Sequence, residues 1–150
     1  MKRRLIVFAV LTLFVLSLQG LAQTQPGQGG TMKMGNAIML EEVTEAGVKA
    51  MVHLIDVSAA MEKMGKKENF HFMVMFSDVA TGAAISNGSV ALKITGPGQE
   101  KAGEPIALMA MDGSFGANID LTAKGLYNLE VGSKLADGTK RQFKFQFTVQ

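Results

Sequence analysis

Residues Phe70 to Phe76 read Phe-His-Phe-Met-Val-Met-Phe, and this stretch decides how the rest of the chain is interpreted. Side chains of a β-strand point alternately to its two faces, so the Phe and Val residues share one face and His71, Met73 and Met75 share the other. The first face is typical of a protein core. The second carries an imidazole and two thioethers where a solvated strand usually carries Lys, Thr or Glu. It is therefore the main candidate for a functional surface.

The N-terminal residues have the features of a secretory signal peptide. Residues 2–4 are basic, residues 5–18 are almost all apolar, and small residues precede a cleavage position after Ala22. The apolar run is shorter than the roughly 20 residues that span a bilayer, which favours cleavage over an uncleaved membrane anchor. The next residues are rich in Gly and Gln. We predict a signal peptide over 1–22, a flexible leader over 23–35 and one folded domain over 36–150.

Charge and cysteine content exclude several classes of function. Three of the 15 Lys and Arg residues lie in the predicted signal, which leaves 12 against 13 Asp and Glu residues in a nearly neutral mature chain. The basic residues form no stripe, so we expect no nucleic-acid partner and membrane contact only through the signal peptide. The chain has no cysteine, which excludes disulfides, thiolate metal sites and thiol catalysis. A periplasmic or secreted protein is predicted.

Short alternating segments separated by turn signals predict an all-β fold. Asn87-Gly88, Asp112-Gly113 and Asp137-Gly138 are typical of hairpin turns, and Gly96-Pro-Gly98 marks another reversal. Segment 56–65 is interpreted as a short helical turn or a loop, with Ser58 as a candidate N-cap. The pattern favours an antiparallel β-sandwich of about seven to eight strands. The predicted strands are 37–42, 47–55, 69–78, 89–95, 106–111, 114–121, 125–131 and 140–149.

Methionine is unusually frequent, and its spacing singles out three strands. Ten methionines follow the predicted signal, and such richness alone usually reflects packing in a core. Three segments, however, place two or three thioether or imidazole side chains on one strand face. Met61 and Met64, three residues apart, are interpreted instead as hydrophobic contacts at the edge of the sandwich. The candidate metal ligands are His71, Met73, Met75, Met109, Met111, His53 and Met51.

These side chains suit copper. Thioethers are neutral, polarizable donors that match Cu(I), and an imidazole adds affinity and helps to accommodate Cu(II). An exported site avoids thiolates, which oxidise to disulfides outside the cytoplasm. If the Asp112-Gly113 hairpin is tight, Met109 and Met111 lie beside the strand 114–121 and face His71 wherever that strand is close. The alternative is a Met-rich apolar surface that docks a protein or peptide without metal.

Several of these segments resemble the YtkA-like domain family over roughly residues 48–149. The resemblance implies a small exported immunoglobulin-like β-sandwich, in a family sometimes associated with copper handling or respiratory-oxidase assembly. It implies no catalytic residues. The segments that carry it are His71-Phe-Met-Val-Met, Asp78-Val-Ala-Thr-Gly, Thr95-Gly-Pro-Gly, Met109-Ala-Met-Asp-Gly-Ser-Phe-Gly-Ala, Lys124-Gly-Leu-Tyr-Asn-Leu and Phe143-Lys-Phe-Gln-Phe.

Catalysis is the weakest of the functional classes. Gly113-Ser-Phe-Gly116 differs from a nucleophile elbow because its second glycine comes one residue early. The two histidines lack the spacing of a catalytic zinc motif. The sequence therefore predicts an exported binding protein that is not an enzyme, with two interpretations. One is a periplasmic copper carrier or chaperone that binds a copper ion or a copper-receiving protein. The other is a protein-interaction module with a Met-rich apolar face.

Overall fold

The computed structural model describes residues 32–150, so the predicted signal peptide and residues 23–31 of the predicted leader lie outside the described residues. Strands and one short helix make up the regular structure, and the described helix is too short to cross a membrane. The elements are β1 (Met32–Met34), β2 (Ala37–Met39), β3 (Val43–Glu45), β4 (Val48–Asp56), α1 (Ser58–Lys63), β5 (Phe70–Asp78), β6 (Ala84–Ile85), β7 (Gly88–Thr95), β8 (Ile106–Met111), β9 (Ser114–Ile119), β10 (Gly125–Leu135) and β11 (Lys140–Val149).

All strand pairs in the described residues are antiparallel and form one curled sheet. The strand order is β1-β2-β4-β5-β9-β8-β7-β10-β11, with β3 paired to β4 and β6 paired to β5. Strand β8 joins the two halves, because Ile106 to Leu108 pair with β7 whereas Met109 to Met111 pair with β9. The all-β, antiparallel character predicted from the sequence is confirmed. The sequence did not predict β1, β3 or β6.

The core lies on the concave side of this curled sheet, where its two halves face each other. The predicted inward face of β5 is confirmed, since Phe72, Val74 and Phe76 are buried and half-buried Phe70 packs against them. The rings of Phe76 and Phe143 lie 5.4 Å apart between centroids, which brings β5 against β11. Burial of such side chains, at about 1.5–3 kcal/mol each, stabilises the curled sheet and fixes which face of β5 points outward.

Of the three Asn-Gly and Asp-Gly dipeptides that were predicted to close hairpins, two do so and one does not. Asp112 and Gly113 both have positive φ, 40° and 83°, and close the β8–β9 hairpin, as this dipeptide favours. Asp137-Gly138 lies in the turn between β10 and β11. Asn87-Gly88, in contrast, closes no hairpin, because β6 pairs with β5 whereas β7 pairs with β10 and β8. This prediction was wrong, since the dipeptide lies in a crossover between the two halves.

The segment between β4 and β5 contains a short helix, which is one of the two forms that the sequence analysis expected for it. Val57 is the N-cap, so the predicted cap at Ser58 was wrong by one residue. Asp56 Oδ1 instead accepts hydrogen bonds from the backbone and hydroxyl of Ser58, at 2.9 and 2.6 Å. Gly65, with φ 68°, ends the helix as predicted, and its backbone N–H donates to Glu62. This geometry places the helix beside the start of β5.

Arg141 holds the turn between β10 and β11, and its contact with Asp137 predicts a pH-dependent contribution to stability. The side chain of Arg141 is 7% exposed and donates to Asp137 at 2.6 and 3.0 Å. It also donates to the carbonyl oxygen of Ala46 at 3.2 Å, which ties this turn to the β3–β4 hairpin. The hydrogen bond from Arg141, with another from the backbone of Thr139, holds the pKa of Asp137 well below its ordinary value.

Because the pKa of Asp137 is lower in the folded than in the unfolded chain, its ionised form stabilises the fold above about pH 4, and this stabilisation is lost as the pH falls further. Asp137→Asn is expected to lower the thermal midpoint at about pH 7, with the difference from wild type shrinking below about pH 4. Thermal unfolding followed across pH measures this. Asp120→Asn is the control, since Asp120 accepts a comparable backbone hydrogen bond from Thr122. A pH-independent difference for Asp137→Asn contradicts the assignment.

Candidate metal-binding face

The outward faces of β4 and β5 carry the thioethers and imidazoles that the sequence singled out. Along β5 the buried Phe72 and Val74 alternate with half-buried His71, Met73 and Met75. Strand β4 has the same alternation. We call the outward surface of β4, β5, β9 and β8 the methionine face. It contains all seven predicted ligands: Met51, His53, His71, Met73, Met75, Met109 and Met111.

Strand register aligns several of these residues in one row across the sheet. His53 pairs with Met73 between β4 and β5, and Met73 pairs with Gly116 of β9. Gly116 in turn pairs with Met109 of β8, while Met39 of β2 pairs with His53 on the other side. Directly paired residues have Cβ atoms about 4.5–5.5 Å apart. The row Met39–His53–Met73–Gly116–Met109 therefore sets soft donors side by side, with one position that has no side chain.

Gly116 provides the space in which His71 and Met111 meet. A Cβ atom at Gly116 would lie 3.1 Å from His71 Nε2, 3.1 Å from Met111 Cε and 2.9 Å from the carbonyl oxygen of Phe72. The imidazole of His71 on β5 and the thioether of Met111 on β8 thus cover Gly116 from the two neighbouring strands, and the glycine is buried. Met73 and Met109 flank the same position in register. We call this arrangement of His71, Met73, Met109 and Met111 around Gly116 the glycine pocket.

The imidazole of His71 is held in one orientation by Asn118. Asn118 Oδ1 lies 2.7 Å from His71 Nδ1, and Asn118 Nδ2 donates to Met61 Sδ of α1 at 3.7 Å. Because an amide oxygen only accepts hydrogen bonds, the ring proton of neutral His71 lies on Nδ1. The lone pair of Nε2 is then directed to the glycine pocket. A second partner of this kind typically orients a ligating histidine.

Asn118 is the residue of the candidate site that sequence reasoning missed. It pairs directly with His71 between β9 and β5, a register that depends on contacts between residues 47 positions apart. The only signal in the sequence is its spacing of two from Gly116, which places both on one strand face. Met61 is buried, in accord with its predicted role as a hydrophobic contact, but its sulfur also accepts from Asn118. Met64 is 57% exposed.

The Asn118 contact predicts a specific tautomer of His71. Nitrogen-15 NMR of wild-type protein at alkaline pH is expected to show the proton on Nδ1. Asn118→Leu removes the acceptor and is expected to move most of this proton to Nε2 or to an equilibrium between the two nitrogens. His53 serves as the internal control within each spectrum. The same His71 tautomer in both proteins would contradict the positioning role of Asn118.

His53 occupies a different environment from His71. Its Nε2 is buried, with less than 1 Å² of accessible surface, and has no hydrogen-bond partner among the described residues. Met39 and Met73 lie directly beside it in the row, and Met51 pairs with Met75 two residues along the same strands. An imidazole nitrogen that is buried without a partner is unusual in a folded protein.

The seven predicted ligands do not converge on one point. Strands lie about 4.7–4.9 Å apart, so His53 and Met109 are separated by three strand spacings, or about 14 Å. Side chains stand roughly perpendicular to the sheet, and this separation is too large for both to bind one ion. The structure brings His71 and Met111 together above Gly116, places Met73 and Met109 beside that glycine in register, and leaves His53, Met51 and Met75 as a neighbouring group.

The methionine face carries soft donor atoms and is exposed to solvent on one side. In residues 32–150, no group of three or more His, Asp or Glu side chains is arranged to hold a metal ion, so the donors in the glycine pocket are thioethers and one imidazole. Met109 is 69% exposed, whereas Met73 and Met111 are half-buried. A small ion or a partner protein thus has access to the pocket from the side of the β8–β9 hairpin.

No family model matches the chain, and no curated protein matches its sequence, so the resemblance to the YtkA-like family stays a prediction. Two solved structures of FetP from uropathogenic Escherichia coli have a similar fold. FetP as isolated after expression in the E. coli periplasm is 14% identical, with a TM-score of 0.54, over 73% of this chain and 92% of FetP. A copper-bound FetP variant is 14% identical, with a TM-score of 0.53, over 72% and 93%. At this identity the similarity shows the fold alone.

Proposed function

We propose that this protein is an exported copper carrier or chaperone that binds Cu(I) in the glycine pocket. One observation carries the proposal: His71 Nε2 and Met111 Cε each lie 3.1 Å from the same point above Gly116, between Met73 and Met109. His71 Nε2 would supply nitrogen, and the three methionines would supply sulfur. The role is binding rather than catalysis, and copper is the cargo.

The donor set favours Cu(I) over harder cations. Thioether sulfur binds soft ions well and binds Mg²⁺ or Ca²⁺ poorly, since those cations require oxygen ligands. The pocket adds no carboxylate, and its ligands carry no negative charge when His71 is neutral. Such a site suits a monovalent soft ion in an oxidising compartment, where thiolate ligands are readily lost.

Core packing alone does not account for the arrangement of these side chains. The hydrophobic core lies on the opposite face of the same strands, where Phe72, Val74 and Phe115 are buried. On the methionine face His71 is fixed through Nδ1 by Asn118, while its Nε2 lies beside Gly116, where the methyl group of Met111 also lies. A purely packing role requires no such orientation, whereas a metal ligand does.

The comparisons support the proposal at the level of fold and context. FetP has a similar overall fold, a variant of it binds copper, and it was expressed in the periplasm. We infer a periplasmic or secreted location for this chain, and an immunoglobulin-like β-sandwich as the finer description of its curled sheet. Membership of the YtkA-like family is part of the same proposal.

The exposure of Met109 favours an additional role in docking. A thioether that is 69% exposed at the rim of the pocket is accessible to a copper-receiving protein. Methionine adapts to partners of different shape, so the same rim also suits a protein partner that takes no metal. The second candidate function is therefore a protein-interaction module that uses this face.

Competition with a chromophoric Cu(I) chelator under reducing conditions tests the proposal on the mature chain, residues 23–150. We expect stoichiometric binding with a dissociation constant below about 1 μM. Replacing both Met109 and Met111 by alanine is expected to weaken binding by about 100-fold, since it removes two sulfur donors without opening the core. Met64→Ala is the matched control, because Met64 is also exposed but lies outside the face. Absence of competition in the wild-type protein would favour the interaction module.

A further inference from the structure

The buried Nε2 atom of half-buried His53 is the observation that the glycine pocket does not explain. Its Nε2 has neither solvent nor a hydrogen-bond partner among the described residues. Burial of a polar nitrogen without a partner costs free energy, so such groups are rare unless another function retains them. A leucine at this position would fill similar space without that cost. We therefore expect His53 Nε2 to bind a ligand that is not one of the described residues.

The surroundings of His53 indicate the class of that ligand. Its paired neighbours across the sheet are Met39 on β2 and Met73 on β5. Met51 and Met75 form the next outward-facing pair, two residues along β4 and β5. An unpartnered imidazole nitrogen among four thioethers matches the donor preference of a soft monovalent cation.

We propose that His53 and Met39 form a second Cu(I) position beside the glycine pocket, with Met73 shared between the two positions. The two positions are adjacent because Met73 pairs with His53 on one side and with Gly116 on the other. Its flexible thioether reaches either position, so Met73 provides the route by which an ion passes from one to the other. The exposed Met109 lies at one end of this row and Met39 at the other.

This inference rests on the proposed function, because it assumes that the methionine face binds Cu(I). The inference adds that each chain binds two Cu(I) ions and that an ion moves across the sheet from one position to the other. The row extends at the backbone level to β1, where Met32 pairs with Met39. His53 Nε2 is shielded from solvent whereas Met109 is 69% exposed, so the glycine pocket exchanges its ion with partners more readily than the position at His53.

Counting bound Cu(I) in four proteins tests the second position. Wild-type protein is expected to bind two ions, and His53→Leu and His71→Ala one ion each. The double variant is expected to bind none. His53→Leu leaves no buried polar nitrogen, so we expect the variant to be folded without metal, as checked by thermal unfolding. Met39→Leu conserves volume and is expected to weaken only the second ion, by about tenfold.

The outcomes separate this inference from the function on which it rests. One ion in wild-type protein, retained in His53→Leu and lost in His71→Ala, overturns the second position and leaves the glycine pocket intact. One ion that is lost in His53→Leu and retained in His71→Ala overturns the glycine pocket instead and supports only the position at His53. No binding by any of the four proteins overturns both proposals.

Discussion

Replacement of His71 by alanine is expected to weaken Cu(I) binding in the glycine pocket by about 100-fold or more. The Nε2 atom of the imidazole lies beside Gly116, and Asn118 holds the ring in place through Nδ1. Loss of a residue that merely orients a ligand costs about 10–100-fold in affinity, so loss of the ligand itself is expected to cost at least the upper part of that range. Chelator competition measures the change.

The fold is expected to survive this substitution, because His71 lies outside the hydrophobic core. Thermal unfolding of metal-free His71→Ala and wild-type protein supplies that check. Asn118→Leu provides a graded comparison, with an expected loss of about 10–100-fold, since it leaves the imidazole present but free to change tautomer. Equal Cu(I) affinity in wild-type protein and His71→Ala would remove His71 from the site.

Substitution of Gly116 by alanine is expected to reduce both stability and copper binding. The added methyl group would lie 2.9 Å from the carbonyl oxygen of Phe72, which is backbone and cannot move aside easily. It would also lie 3.1 Å from both His71 Nε2 and Met111 Cε, and would push these groups apart. Overpacking of this kind costs about 1–3 kcal/mol of unfolding free energy. Urea unfolding and chelator competition measure the two effects.

Gly132 of β10 is the matched control. It is also a strand glycine without a positive φ, but the nearest atom to an added Cβ is the carbonyl oxygen of Ala91, at 4.0 Å. Gly132→Ala is expected to leave copper binding unchanged and stability unchanged or raised by up to about 1 kcal/mol, because it lowers the entropy of the unfolded chain. Equal stability and affinity in Gly116→Ala and Gly132→Ala would contradict the role assigned to the glycine pocket.

Sequence patterns predicted the strands that carry the site because alternation is a local property. The two faces of β5 follow from residues 70–76 alone, and the confirmed β8 bounds, 106–111, put Met109 and Met111 on one face. The Asp112-Gly113 turn then places β8 beside β9. These elements depend on neighbours only a few residues apart, which the sequence displays directly.

The convergence of the site, in contrast, depends on pairing between distant strands. The sequence left open whether the strand beginning at Ser114 lies near His71, and in the structure it lies between β5 and β8. Because of that register, Gly116 lies at the centre of the pocket and Asn118 is the partner of His71. Long-range register reflects packing of the whole core, which periodicity does not reveal.

The same dependence on long-range pairing explains the errors in the fold. Asn87-Gly88 has the composition of a hairpin turn, yet Gly88 lies against β10, where an added Cβ would be 2.6 Å from the carbonyl oxygen of Lys134. Close packing between strands and a positive φ of 146° therefore account for this glycine, although it closes no hairpin. Strand β1 begins within the predicted flexible leader and gains its order by pairing with β2.

The most direct test is NMR of the mature chain with carbon-13 in the methionine methyl groups and nitrogen-15 in the histidines, recorded as one equivalent of Cu(I) is added under reducing conditions. We predict that the signals of His71 Nε2 and of the methyl groups of Met73, Met109 and Met111 shift together, because these groups surround Gly116. The signals of Met34 and Met64, which are 71% and 57% exposed, are expected to remain unchanged. Shifts at these exposed methionines with none at His71 would contradict a copper site in the glycine pocket.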